Sequence, residues 1–148
     1  MSATLAVKPE IIAHDFRTAM HAKLSEADIH KVVSALTNSV TQASYPATGS
    51  VASLIFYMKF QVQIKNGGKT FNGHAGSIGS PGGGALIGDV YTDDINRLYR
   101  DTVSFEFQAT PVYLSILYFD GSSNLLGHFQ AGAVSTVGGV GGGSGSWS

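Results

Sequence analysis

Apolar positions along the chain change period near residue 48. Ile12, Phe16, Ala19 and Met20 recur at helical spacing through roughly Leu24, with Pro9 at a first-turn position where a missing N–H costs nothing. Ser25 and Asp28 form a capping pair at the start of a second helix. Ile29, Val32, Val33, Leu36 and Val40 then fall at i, i+3, i+4, i+7 and i+11, one apolar stripe. Tyr45-Pro46-Ala47-Thr48-Gly49 breaks that pattern with turn-forming residues and reads as a linker. The expectation is a helical segment over residues 1–48 and a separate domain over 49–148.

Beyond the break the period is two. Phe56, Met58, Phe60, Val62 and Ile64 alternate with Tyr57, Lys59, Gln61, Gln63 and Lys65, predicting a strand with one wet face. Asn66-Gly67 follows it and predicts a tight hairpin, because both residues tolerate positive φ. Val103, Phe105 and Phe107 alternate with Ser104, Glu106 and Gln108 in the same way. Val112–Phe119 is apolar on both faces apart from Ser115, so it belongs in mid-sheet or under a cover. Asp120–Asn124 is a turn, and Leu125–Val134 reads as the next strand. Between strands, Thr92–Tyr99 predicts one short helical crossover with acids at its start. Such a series gives about seven or eight strands, an antiparallel barrel or sandwich.

Composition narrows the function classes. The 148 residues are 43% hydrophobic and 13% charged, with 19 glycines, no cysteine and a net charge of −1. A near-neutral balance lacks the clustered Lys and Arg that nucleic acid requires. Without cysteine there is no disulfide, thiolate metal site or cysteine nucleophile. No apolar run reaches the ~18 residues of a membrane-spanning helix, and Met1–Lys8 has no signal-peptide pattern.

Motifs with chemical potential resolve into local structure. Gly68-Lys69-Thr70 imitates the end of a phosphate-binding loop, but Gln63 stands where the motif needs glycine. The runs Gly82–Gly84 and Gly138–Gly145 contain no dinucleotide fingerprint and suit close strand approach or bulges. Asp93 and Asp94 are adjacent, so on a helix they diverge; capping and dipole compensation is the expectation. His14, His21, His30, His74 and His128 show no metal-ligand spacing, and no nucleophile elbow is present. Catalytic residues, cofactors and metals are therefore all expected to be absent, and the protein is expected not to be an enzyme.

Several ordered stretches carry a likeness to a known family. They are Pro81-Gly82-Gly83-Gly84-Ala85-Leu86, Thr92-Asp93-Asp94 with Arg97-Leu98-Tyr99, and Thr102-Val103-Ser104-Phe105, followed by Tyr113-Leu114 and Leu126-Gly127-His128. Gln130 through Ser135 and the terminal run from Gly138 to Trp147 complete the set. Over roughly Ser50–Trp147 the chain resembles the virulence-associated (Vap) proteins that actinobacterial intracellular pathogens secrete inside macrophages. The resemblance implies an all-β fold, an eight-stranded antiparallel Greek-key barrel. It also implies a secreted, non-enzymatic factor that promotes survival in the phagosome, with a host membrane or host protein as partner. Cytoplasmic residence is the alternative, given the missing signal pattern, and a small-molecule-binding barrel of lipocalin type is the alternative function.

One group of residues suggests a site. Up to Thr48 four basic residues balance four acids, and three of the five histidines lie there. His14, Arg17 and His21 share one helical face and His30 follows on the next helix. At an ordinary value near ~6.5 these histidines charge as a phagosome acidifies. The expectation is a pH-responsive contact with a membrane or partner through His14, Arg17, His21 and His30.

Overall fold

Residues 58–64 show how the pattern becomes structure: Met58, Phe60, Val62 and Ile64 are buried while Lys59, Gln61 and Gln63 are exposed. The computed structural model describes residues 13–14, 17–18, 21, 25–37, 43–54, 56–76, 82–109, 113–135 and 139–148. Helix α1 spans Glu26–Thr37, with the Ile29 N–H donating to the Ser25 carbonyl at 3.0 Å. Of the first expected helix, Ala13, His14, Arg17 and Thr18 are helical, His21 lies in a turn, and the rest lies outside the described residues. After α1 come β1 (Ala43–Ser53), β2 (Met58–Ile64), β3 (Thr70–Ala75), β4 (Gly82–Thr92), α2 (Ile95–Asp101), β5 (Ser104–Ala109), β6 (Tyr113–Phe119), β7 (Leu125–Ser135) and β8 (Gly139–Trp147).

The strands close into a barrel in the order β1-β2-β3-β8-β5-β6-β7-β4, each neighbour antiparallel. Around the ring, β4-β1-β2-β3 and β8-β5-β6-β7 each have a fourth strand returning beside the first, so the barrel is two Greek keys side by side. Closure removes every free strand edge.

Aromatic side chains fill the lumen. Phe60 touches Phe105 and Phe107 at ring separations of 5.3 and 4.7 Å, and Phe71 touches Phe105 and Tyr118 at 5.4 and 4.8 Å. Tyr118 meets Trp147 at 5.2 Å, continuing the chain of rings to the end of the last strand. Small residues on β8 make room for them. A Cβ on Gly145 would sit 2.6 Å from the Phe71 ring and 2.6 Å from the Asn72 carbonyl oxygen.

Three expectations need correction. The Tyr45–Gly49 linker is part of β1, paired with both β2 and β4. Pro46 is tolerated because its carbonyl accepts from Lys65 N–H (3.0 Å) at the β2 side, one residue past the end of the β1–β2 register, where a missing donor breaks no ladder bond. The strand therefore crosses the expected boundary at 48/49. Phe56, taken as inward-facing, precedes β2 and is 70% exposed. Val103 likewise lies before β5 and is exposed, its N–H spent on the Phe119 carbonyl. The Gly138–Gly145 run forms most of β8 and serves the close strand approach expected of it, since a Cβ on Gly143 or Gly145 would meet the backbone of β3. Asn66 (φ 61°) and Gly67 (φ 85°) likewise form the hairpin turn their sequence predicts.

Candidate functional site

The four residues singled out in the N-terminal segment are spread along it. His14, His21 and His30 are exposed, and the His14 carbonyl accepts from the Thr18 hydroxyl at 3.0 Å. Arg17 is paired with Glu26, an acid at the start of α1. Among the described interactions none joins these four to one another.

The densest polar chemistry lies elsewhere, on the outward face of β4–β7. Alternation places Phe129 and Ala131 in the core, so His128 and Gln130 point out, yet both are buried. The cross-strand register aligns Asp89, Gln130, Ser115 and Gln108 in one row, with Tyr91 and His128 paired on the next. Gln130 Nε2 donates to Ser115 Oγ at 2.9 Å and lies 2.9 Å from His128 Nδ1. This contact sets the ring's Nδ1 against the Gln130 amide and leaves its Nε2 on the far side. That Nε2 and the Gln130 Oε1 are buried without a hydrogen-bond partner among the described residues. Burial in these surroundings drives the His128 pKa down to about 3, so the ring stays neutral, stacked at 5.2 Å on Tyr91.

Neighbouring groups show the same desolvation. Burial raises the Asp89 carboxyl above its ordinary range, partly offset by Lys65, and pushes Tyr91 up to about 12. Ser115 reaches Gln130 and not His128, so the row contains no hydroxyl–imidazole pair of the kind that activates a nucleophile. His128, Gln130 and Ser115 form a short buried hydrogen-bonded chain. Sequence reading missed the row because its members are scattered over four strands and only the register unites them.

Of the acidic pair, Asp94 acts as expected just past the end of β4. Asp94 caps α2, its Oδ1 accepting from Arg97 N–H at 3.1 Å. Arg97 reaches Asp120 at 3.5 Å, and Arg100 holds Asp101 through bonds of 2.9 and 3.1 Å. Asp120 accepts from the Ser122 and Asn124 N–H groups at 2.9 Å, which holds its carboxyl below the usual range. Among the described residues no cluster of three or more His, Asp or Glu is placed to hold a metal. No described helix is long and apolar enough to cross a membrane.

A closed Greek-key barrel with one short helix between its fourth and fifth strands is the architecture that the resemblance in the sequence implies. Comparison with known proteins decides the matter: a family model described as Rhodococcus equi virulence-associated protein matches residues 3–148. The chain belongs to the Vap family. Among solved structures, VapB of Rhodococcus equi is similar at 49% identity and TM-score 0.68, covering 73% of this chain and 98% of that one. VapD of the same organism is similar at 40% identity and TM-score 0.70, over 72% of this chain and 98% of that one. No curated protein sequence matches this Vap protein.

Proposed function

We propose that this Vap protein is a secreted, non-enzymatic factor that helps bacteria persist in host phagosomes by contacts made through its outer surface. The observation that carries the reading is the filled lumen: rings from β2, β3, β5, β6 and β8 touch one another along its axis. A barrel of this kind offers a small ligand no interior, which weighs against a lipocalin-like role. The buried polar row supports the same view, since its histidine is held neutral by burial and faces no nucleophile. What remains for function is the exterior.

The test is in infected macrophages. A producer strain lacking the protein should survive less well, and wild-type protein supplied in trans should restore survival. The protein should be recovered from culture supernatant and from phagosomal fractions. Retention wholly in the bacterial cytoplasm, or equal survival without the protein, would overturn the proposal.

A further inference from the structure

The turn joining β1 to β2 exposes apolar side chains in a cluster. Leu54, Phe56 and Tyr57 are 75%, 70% and 47% exposed, within four consecutive apolar residues of the sequence. The other large apolar side chains exposed among the described residues, Ile87, Val103 and Val140, belong to β4, the β5 approach and β8. Backbone bonds from Leu54 N–H to the Tyr57 carbonyl (2.8 Å) and from Phe56 N–H to the Leu54 carbonyl (2.9 Å) hold the turn in a tight shape. Burial of apolar surface is worth enough that water-facing Leu and Phe at one tip mark a contact surface.

Charge identifies the kind of partner. From Lys31 to Gly88 the sequence contains no Asp or Glu, so β1, β2 and β3 carry no acid; Lys59 lies on β2 beside the tip, while Lys65 and Lys69 lie in the β2–β3 turn at the far end of that strand. Lys59 is exposed just after the tip and pairs in register with His74, whose ring stacks at 6.0 Å on Tyr57. The barrel's acids fall elsewhere, on β4, α2, β5 and the turn at Asp120. A convex apolar tip with a phenol and an ammonium at its shoulder matches the depth profile of a bilayer: chains, then interface, then anionic headgroups. A protein partner would have to supply a groove for the protruding Leu54 and Phe56, whereas a bilayer needs no preformed complement.

We infer that the tip formed by Leu54, Phe56 and Tyr57 inserts into anionic lipid bilayers, with Lys59 beside the headgroups. This deepens the surface-contact reading above and rests on it.

Full-length protein should co-sediment with vesicles of phosphatidylcholine and phosphatidylserine, and several-fold less with phosphatidylcholine alone. The triple variant Leu54→Ser, Phe56→Ser, Tyr57→Ser should bind at least tenfold more weakly with its melting temperature nearly unchanged, because these side chains face water. Lys59→Gln should lower binding to the charged vesicles several-fold. In Phe56→Trp the new indole should shift to the blue and be quenched by brominated lipid, while Trp147, buried against Phe71 and Tyr118, should not respond. Vesicle binding by the serine variant equal to wild type, or an unquenched Trp at position 56, would overturn the tip but leave another surface contact standing. Loss of those contacts in the His14→Gln, His21→Gln, His30→Gln variant alone would move them to the N-terminal segment. A wild-type dimer that the serine substitutions split, without lipid binding, would assign the tip to a second copy and overturn the inference.

Discussion

Single side chains show which face of each strand matters. Phe60 is fully buried among Phe105 and Phe107, so Phe60→Ala should cost about 3–5 kcal/mol in urea unfolding. Phe56 differs only by position, four residues earlier and outside the strand; Phe56→Ser should change stability by less than ~0.5 kcal/mol. His128 provides a pH signature. Its folded pKa, about 3, lies below the ordinary value near 6.5, so the unfolded chain binds the extra proton. Stability from this group is complete above pH ~6.5 and declines as pH falls toward about 3, by about 2 kcal/mol at pH 5. Asp89 works the other way, since a raised carboxyl pKa favours the folded state on the acid side. Melting temperatures of wild type and His128→Gln between pH 7 and 5 separate the two. The wild type should lose the steeper fraction of its stability, and parallel curves would contradict a buried neutral imidazole.

Elements were legible where side chains carry the pattern. Strand β2, the Asn66-Gly67 turn and the Asp94-capped α2 follow from alternation, positive φ and capping chemistry. Asp94→Ala should destabilise by about 1 kcal/mol in thermal unfolding, through loss of the bond from Arg97 N–H. Strand β8 was illegible for a physical reason: a Gly-Ser strand has no period-two signal, because its inward positions before Trp147 are all glycine. Its pattern is written on the neighbouring β3, in Phe71, whose ring occupies the space over Gly145. Gly145→Ala should therefore destabilise by about 1–3 kcal/mol, its Cβ meeting backbone at Asn72 and Gly73. Pro46 misled for the opposite reason: a breaker by type, it sits at the one side of β1 where no ladder partner needs its N–H. The polar row of Asp89, Gln130, Ser115 and Gln108 lay beyond reach of sequence, since it exists only in the register of four strands.

At the scale of the whole molecule, closure depends on β1. Its pairing with β4 runs from Ala43–Thr92 to Ser53–Gly82 and is what joins the two ends of the sheet. A chain beginning at Ser50 lacks seven of those eleven rungs. It should lose the cooperative thermal transition that a chain beginning at Ala43 keeps, as read by far-UV circular dichroism. The barrel thus includes all of Ala43–Ser53, and the Tyr45–Gly49 stretch is strand and not linker.

On the proposed reading the barrel works from its exterior, and its apolar tip joins two of the three consecutive acid-free strands β1–β3. Amide hydrogen exchange of the full chain, with and without phosphatidylserine-containing vesicles, tests that claim most directly. Lipid should slow exchange around Leu54, Phe56, Tyr57 and Lys59 and leave Phe71, Phe105 and Tyr118 unchanged. Lipid-dependent change at those three lumen residues, or none at the tip, would contradict a protein that works from its surface.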